Sequence, residues 1–260
     1  MIRPKTKAEI ATLREGGRRH AEILARLREK CIPGARSSEL EDLTRKLCQE
    51  LGVTPAFLNY QPDGASYPFP AALCFSVNDE IVHGIPNQTD KILQSGDVVT
   101  VDLGVIYEGL ITDAAITVGV GELSSENKAL ILAAEQSLAA GIAEAVINNP
   151  VSKIGAAIER SIRSNGHHRY AIYRGLVGHG VGYEVHEEPN IPNFDTRDRY
   201  PVLPEGAVIA IEPMIGLGSP KFELDDTDDW TYKTVDGSIA AHVEHTVAVT
   251  ADGPLILTAL

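Results

Sequence analysis

Four carboxylates stand where a chain of this kind normally places apolar side chains. Asp102 interrupts the run VTVDLGV, Asp113 interrupts LITDAAIT, Glu212 closes AVIAIE, and Glu244 interrupts AAHVEHTVAV. A lone buried carboxylate is costly unless it is hydrogen-bonded, paired or bound to a cation. For any one of these acids a hydrogen-bonded core residue or a strand end is the simpler reading. Four together, with no Lys or Arg in the strand segments beside them, point to a metal site. The stretch GHGVGYEVHEEP (178–189) adds two imidazoles, His179 and His186, around three glycines at alternate positions. Either these histidines are incidental loop residues, or the glycines let the backbone press close to something both imidazoles serve. Carboxylates with one imidazole form a hard, oxygen-rich donor set that suits a pair of Mn, Fe, Co or Zn ions. Two such ions held close together make a hydrolytic centre, which activates water and polarises a carbonyl.

These residues must be positioned by elements that the pattern predicts. Apolar spacing gives a helix over 7–30 and a second from an N-cap at Ser37 or Ser38, with Glu41 in its first turn, to about Gly52. Residues 98–106 and 110–118 read as a hairpin. A turn centred between Tyr107 and Glu108 sets Asp102 opposite Asp113, unless a bulge at Gly109 slips the register. Helices follow over 124–147 and 151–165, then strand-like runs at 170–177, 207–211 and 242–250. Each half thus carries two helices followed by strands, with SGDVVTVDLG (95–104) paralleling PEGAVIAIEPM (204–214). An approximate two-fold arrangement follows, in which both halves send acids to the centre. Chance likeness of two α/β segments is the alternative.

Composition narrows the class. The chain has 260 residues and a formal net charge of −13, which argues against nucleic acid and against an anionic membrane surface. Three cysteines without a C-x-x-C pair argue against a disulfide framework or zinc ribbon. The N-terminal MIRPKTKAEIATLREGG has no apolar core of a secretory signal, and the most apolar helical run, 129–147, carries Glu135 and Glu144. A cytoplasmic protein is predicted. The sequence has no G-x-S-x-G elbow, no phosphate loop and no H-E-x-x-H, and position 183 is Tyr where a dinucleotide-binding G-x-G-x-x-G needs Gly.

The segments VNDEIVHGIP (77–86), VTVDLGVIYEGLITDAAIT (99–117), GHGVGYEVHEEP, AIEPM (210–214) and VEHTVAVT (243–250) together resemble the motif series of type I methionine aminopeptidases. The resemblance runs in order over nearly the whole chain. It implies the pita-bread fold, an α+β architecture in which two pseudo-symmetric halves, about 1–122 and 123–260, form one catalytic domain. A curved antiparallel sheet covered by helices would surround a dinuclear centre. Matched position by position, the metal ligands are Asp102, Asp113, His179, Glu212 and Glu244. Asp113 and Glu244 would bridge the ions, Asp102 would serve the first, and His179 and Glu212 the second. His83 and His186 match the two histidines that face substrate. Glu212 is the implied general base for a metal-held hydroxide, with His186 steadying the oxyanion and His83 near the scissile amide. Tyr60, Cys74 and Trp230 match the methionine pocket, whose soft sulfur suits aromatic and thiol walls. Val185 stands where many bacterial members carry an aromatic. The remaining histidines (His20, His167, His168, His242 and His245) match no role and read as packing or solvated residues.

The implied activity is removal of the initiator methionine from nascent chains with a small second residue, by a monomer acting near the ribosome. The implied cofactors are two divalent ions (Co, Mn, Fe or Zn). Two further readings are an Xaa-Pro dipeptidase and a non-catalytic pita-bread binding protein. The first usually carries a long N-terminal domain, and the second would lose ligands.

Overall fold

The computed structural model describes residues 1–164, 170–199 and 201–260. The expectations for His167 and His168 lie outside them. Helix α1 spans Lys7–Arg28. It starts where Thr6 Oγ1 accepts from Glu9 N–H and the Glu9 carboxylate accepts from Thr6 N–H, so two otherwise orphaned donors are satisfied reciprocally. Helix α2 spans Ser37–Glu50, but its cap differs from expectation. Arg36 occupies the N-cap, and its N–H donates to Glu39. The Ser37 hydroxyl is engaged elsewhere, donating to Pro86 O and accepting from Lys91 N–H. Glu41 is buried one turn in, where it ties the entry of the following strand through Ala72 N–H and Leu73 N–H.

The chain continues through β1 (Thr54–Pro55), β2 (Cys74–Val77), β3 (Glu80–Val82), β4 (Val98–Tyr107) and β5 (Leu110–Gly119). A second helix pair follows, α3 (Ser125–Ala143) and α4 (Val151–Ser164). Then come β6 (Ala171–Ile172), β7 (Gly178–Gly180), β8 (Glu187–Ile191), β9 (Val208–Ile211) and β10 (Met214–Gly216). The last strands are β11 (Phe222–Leu224), β12 (Tyr232–Thr234), β13 (Ala240–His242), β14 (His245–Thr250) and β15 (Gly253–Ile256). The strand expected over 170–177 is cut short because the chain turns after Ile172, with Leu176 N–H donating to Tyr173 O. The run expected over 242–250 divides at Val243-Glu244.

The strands form antiparallel sheets. One has β4 between β1 and β2, with β5 paired on β4, and another runs β15-β14-β9-β7-β8. Helices α1 and α2 bury Ile23, Leu27, Leu40 and Leu47 against Phe75, Val101 and Leu103 of the first sheet. Helices α3 and α4 bury Leu130, Ile154 and Ile158 against Ile209, Ile211 and Val247 of the second. Burying such side chains contributes about 1.5–3 kcal/mol each. The two sheets meet along a seam where Thr246 Oγ1 donates to Asp113 O and accepts from Asp113 N–H. Along the same seam Thr117 Oγ1 donates to His242 O and accepts from His242 N–H, and Glu244 N–H donates to Ala115 O.

The β4–β5 register corrects the expectation. Tyr107 pairs with Leu110, so the loop is Glu108-Gly109, both with positive φ (49° and 81°), the geometry a two-residue hairpin turn requires. Asp102 therefore faces Ala115, and Asp113 faces Gly104. The two acids share a face as diagonal neighbours, about 7–8 Å apart in such a register rather than side by side.

Candidate metal centre

Each acid enters the centre from a different strand end or strand interior. Asp102 and Asp113 come from β4 and β5, Glu212 follows β9, and Glu244 occupies the break between β13 and β14. His179 is the middle residue of β7, opposite Ala210 of β9. His179 is not an incidental loop residue, because GHG is a short strand. The glycines still matter as proposed, because a Cβ on Gly178 would lie 2.4 Å from Ala210 O and one on Gly180 would lie 2.3 Å from Glu188 O. Only a bare backbone fits between β8 and β9 at that spacing.

His179 Nδ1–H donates to Gly180 O over 2.9 Å, which fixes the tautomer and turns the lone pair of Nε2 inward. Nε2 lies 3.4 Å from Glu212 Oε1 and 3.9 Å from Asp113 Oδ2. Asp113, His179 and Glu244 each offer a ligand atom within 4.8 Å of the others'. Asp102, Asp113, His179, Glu212 and Glu244 are all buried, and they line one cavity of about 280 Å³. No Lys or Arg lines that cavity among the described residues.

Other buried acids of this protein are satisfied. Glu41 accepts two backbone N–H groups and pairs with Arg45, and Glu187 pairs with Lys5. By contrast Asp102 Oδ1, Asp113 Oδ1 and Glu244 Oε1 are buried without a hydrogen-bond partner. Such orphaned oxygens are rare in native cores and call for an ion. Burial pushes Asp113, Glu212 and Glu244 well above the usual carboxylate range, with mutual repulsion adding to it, and burial alone carries Asp102 up to about 7. Desolvation lowers His179 to about 3 and His83 to about 4. A hard, oxygen-rich donor set around one imidazole fits a divalent metal, whose charge would offset the crowding of these carboxylates.

The histidines and pocket residues predicted to face substrate gather on the same cavity. His186 lies at its mouth, 4.3 Å from His179 between ring centroids, and His186 Nδ1 is 2.7 Å from Tyr60 Oη. His83 adopts a left-handed φ of 60°, uncommon for a residue with a Cβ, and its ring meets Trp230 edge-on. Cys74 pairs with Asp102 across β2 and β4, which brings its thiol to the cavity wall. Val185 is not part of that wall but packs in the core beneath it with Phe57, Phe69 and Trp230. Phe57, Phe69, Met214 and Tyr232 line the cavity and were not singled out from the sequence. Neither was His242, whose Nε2 lies 3.5 Å from Glu212 Oε2. By contrast His20 and His245 are packing residues as expected, bonded to Thr112 and Thr258.

The profile of metallopeptidase family M24 matches residues 11–251. The chain belongs to that family. It is 42% identical over 257 residues to the methionine aminopeptidase of Aquifex aeolicus, covering 98% of both chains. It is 41% identical over 261 residues to methionine aminopeptidase 1 of Mycobacterium tuberculosis, covering 99% of this M24 chain and 95% of that one. The crystal structure of methionine aminopeptidase from Thermotoga maritima superposes with a TM-score of 0.92 at 37% identity over the full length of both. Prolidase from Pyrococcus furiosus shares the fold at a TM-score of 0.73 and 22% identity, with 99% of this chain and 65% of that chain covered. The architecture is the pita-bread fold that these M24 structures share. No described helix is long and apolar enough to cross a membrane.

Proposed function

We propose that this M24 metallopeptidase removes N-terminal methionine from nascent polypeptides, using two divalent ions held by Asp102, Asp113, His179, Glu212 and Glu244. The observation that carries the reading is the set of three orphaned carboxylate oxygens in the cavity that His179 lines, a cavity without Lys or Arg among the described residues. In this assignment Asp113 and Glu244 would serve both ions, Asp102 the first, and His179 and Glu212 the second. When bound, the ions would activate water and polarise the scissile carbonyl. Glu212 takes the proton of the attacking water and passes it toward the leaving amine. His186 donates from Nε2 to the oxygen on which charge develops, and Tyr60 Oη, 2.7 Å from Nδ1, supports that tautomer by donating to it. His83, held against Trp230 and Tyr232, binds near the scissile amide. Tyr60, Cys74 and Trp230, with Phe57 and Phe69, enclose a thioether-sized apolar space.

Residues 1–260 act in this reading as one catalytic unit with halves of about 1–122 and 123–260. The enzyme works in the cytoplasm as a monomer on chains leaving the ribosome, and favours a small second residue. Its competitor is an Xaa-Pro dipeptidase activity, for which only a shared fold speaks.

The test combines metal stoichiometry with peptide choice. Metal-free protein titrated with Mn(II) should take up two equivalents and then cleave Met-Ala-Ser but not Ala-Pro peptides. Uptake of no metal, or preference for Ala-Pro, overturns the assignment. A Glu212→Ala variant with unchanged cleavage removes Glu212 from the mechanism.

A further inference from the structure

The carboxylate of Glu212 is bracketed by two imidazoles. His179 Nε2 stands 3.4 Å from Oε1, and His242 Nε2 stands 3.5 Å from Oε2. His242 Nε2 also lies 3.9 Å from Glu244 Oε2. The His242 side chain is 2% exposed, and neither ring nitrogen has a hydrogen-bond partner. Its backbone is pinned on both sides, because Thr117 Oγ1 donates to its carbonyl and accepts from its N–H. The strand pairing then sets its place, with His242 opposite Met214, two residues beyond Glu212. A buried imidazole with two idle nitrogens is costly where an apolar residue would fit. This one is held by its backbone with one ring edge toward a carboxylate.

We propose that His242 is a positioning residue for the metal centre: its Nε2–H directs Glu212 Oε2, so that Oε1 is presented on the His179 side where an ion would bind. The inference rests on the metal-centre assignment above. The two imidazoles then have different duties. His179 spends its Nδ1–H on Gly180 O and keeps Nε2 as a lone-pair donor. His242 has no such backbone acceptor and keeps Nε2–H for the carboxylate. Partners of this kind orient a ligand, and their loss typically weakens metal binding by about 10- to 100-fold.

The test compares metal-free wild type with His242→Leu and His242→Gln, titrated calorimetrically with Co(II), with the visible absorption of bound Co(II) as a second readout. Glutamine places an amide N–H near where Nε2 stood, whereas leucine keeps the volume without a donor. His242→Leu should weaken one of two binding events by about 10- to 100-fold, leave the other within a few-fold, and shift the Co(II) bands. His242→Gln should regain most of the affinity. Circular dichroism confirms folding, and if His242→Leu does not fold, His242→Asn takes its place as the variant whose shorter side chain cannot reach. Equal Co(II) affinity and spectra in all folded variants overturn the proposal, as does a glutamine variant no better than the donor-free one. Failure of wild type to bind Co(II) at all instead sinks the metal-centre assignment, so the two failures are distinguishable.

Discussion

Tyr60 Oη sits 2.7 Å from His186 Nδ1, joining the loop after β1 to the glycine-rich segment 126 residues later. The phenol is the donor when His186 carries its own hydrogen on Nε2, the nitrogen left for substrate. Tyr60→Phe should therefore cost about 10-fold in kcat with little change in KM, because the pocket keeps its shape while His186 loses its tautomer. Steady-state kinetics on a Met-Ala-Ser peptide checks this. An unchanged kcat would separate Tyr60 from catalysis and leave it as a wall residue.

Glu187, the residue after His186, is held by a buried pair. Lys5 Nζ lies 2.9 Å from Glu187 Oε2, and the side chains are 1% and 2% exposed. The same carboxylate accepts from Tyr183 N–H and Glu184 N–H, so it also shapes the turn that carries His186. Lys5→Met removes the buried one of two cations on Glu187, leaving Arg3 Nε at 3.3 Å from Oε2, and should cost about 1.5–3 kcal/mol. Lys5→Met with Glu187→Gln should recover part of that loss. Urea unfolding of the two variants measures the difference, and a single variant as stable as wild type would refute it.

Gly180 has no room for a methyl group, since the nearest obstruction is the backbone carbonyl of Glu188 and not a movable side chain. Gly180→Ala should push β7 off β8, displace His179 and weaken metal uptake. By contrast Gly34→Ala, at a site with nothing within 4 Å, should leave metal uptake unchanged despite its φ of 90°. Metal titration of both variants checks the contrast.

His20 gives a pH dependence away from the centre. It is buried against Thr112, and desolvation lowers its pKa from 6.5 to about 3. The unfolded chain therefore takes up this proton before the folded one does. The stability from the neutral folded form is complete above pH 6.5 and is lost as pH falls toward 3. Replacing His20 with Gln should flatten that part of the stability curve, measured by urea unfolding at several pH values. An unchanged slope would assign the acid sensitivity to other groups.

The acids were legible because each one breaks an apolar run that has no Lys or Arg, and the helices because their spacing is regular over several turns. What escaped has physical causes. The hairpin register depended on Glu108 accepting a positive φ of 49°, which residue type alone does not announce. Strands of two to five residues, such as β7 and β13, carry no detectable alternation and exist because distant segments pair with them. For the same reason His242 looked like a packing residue: only the β10–β13 pairing, with Met214 opposite His242, brings it beside Glu212. Cys74 and Trp230 took their places through the family resemblance and not through any local pattern.

The bonds joining β5 to β13 and β14 are made by threonine hydroxyls and peptide groups, with no ion pair among them. Neutral contacts of this sort are little screened by dissolved electrolyte. The alignment of the acids proposed to hold metal should therefore persist in concentrated salt, even where exposed pairs on α1, such as Arg18–Glu15 and Arg26–Glu22, have dissolved.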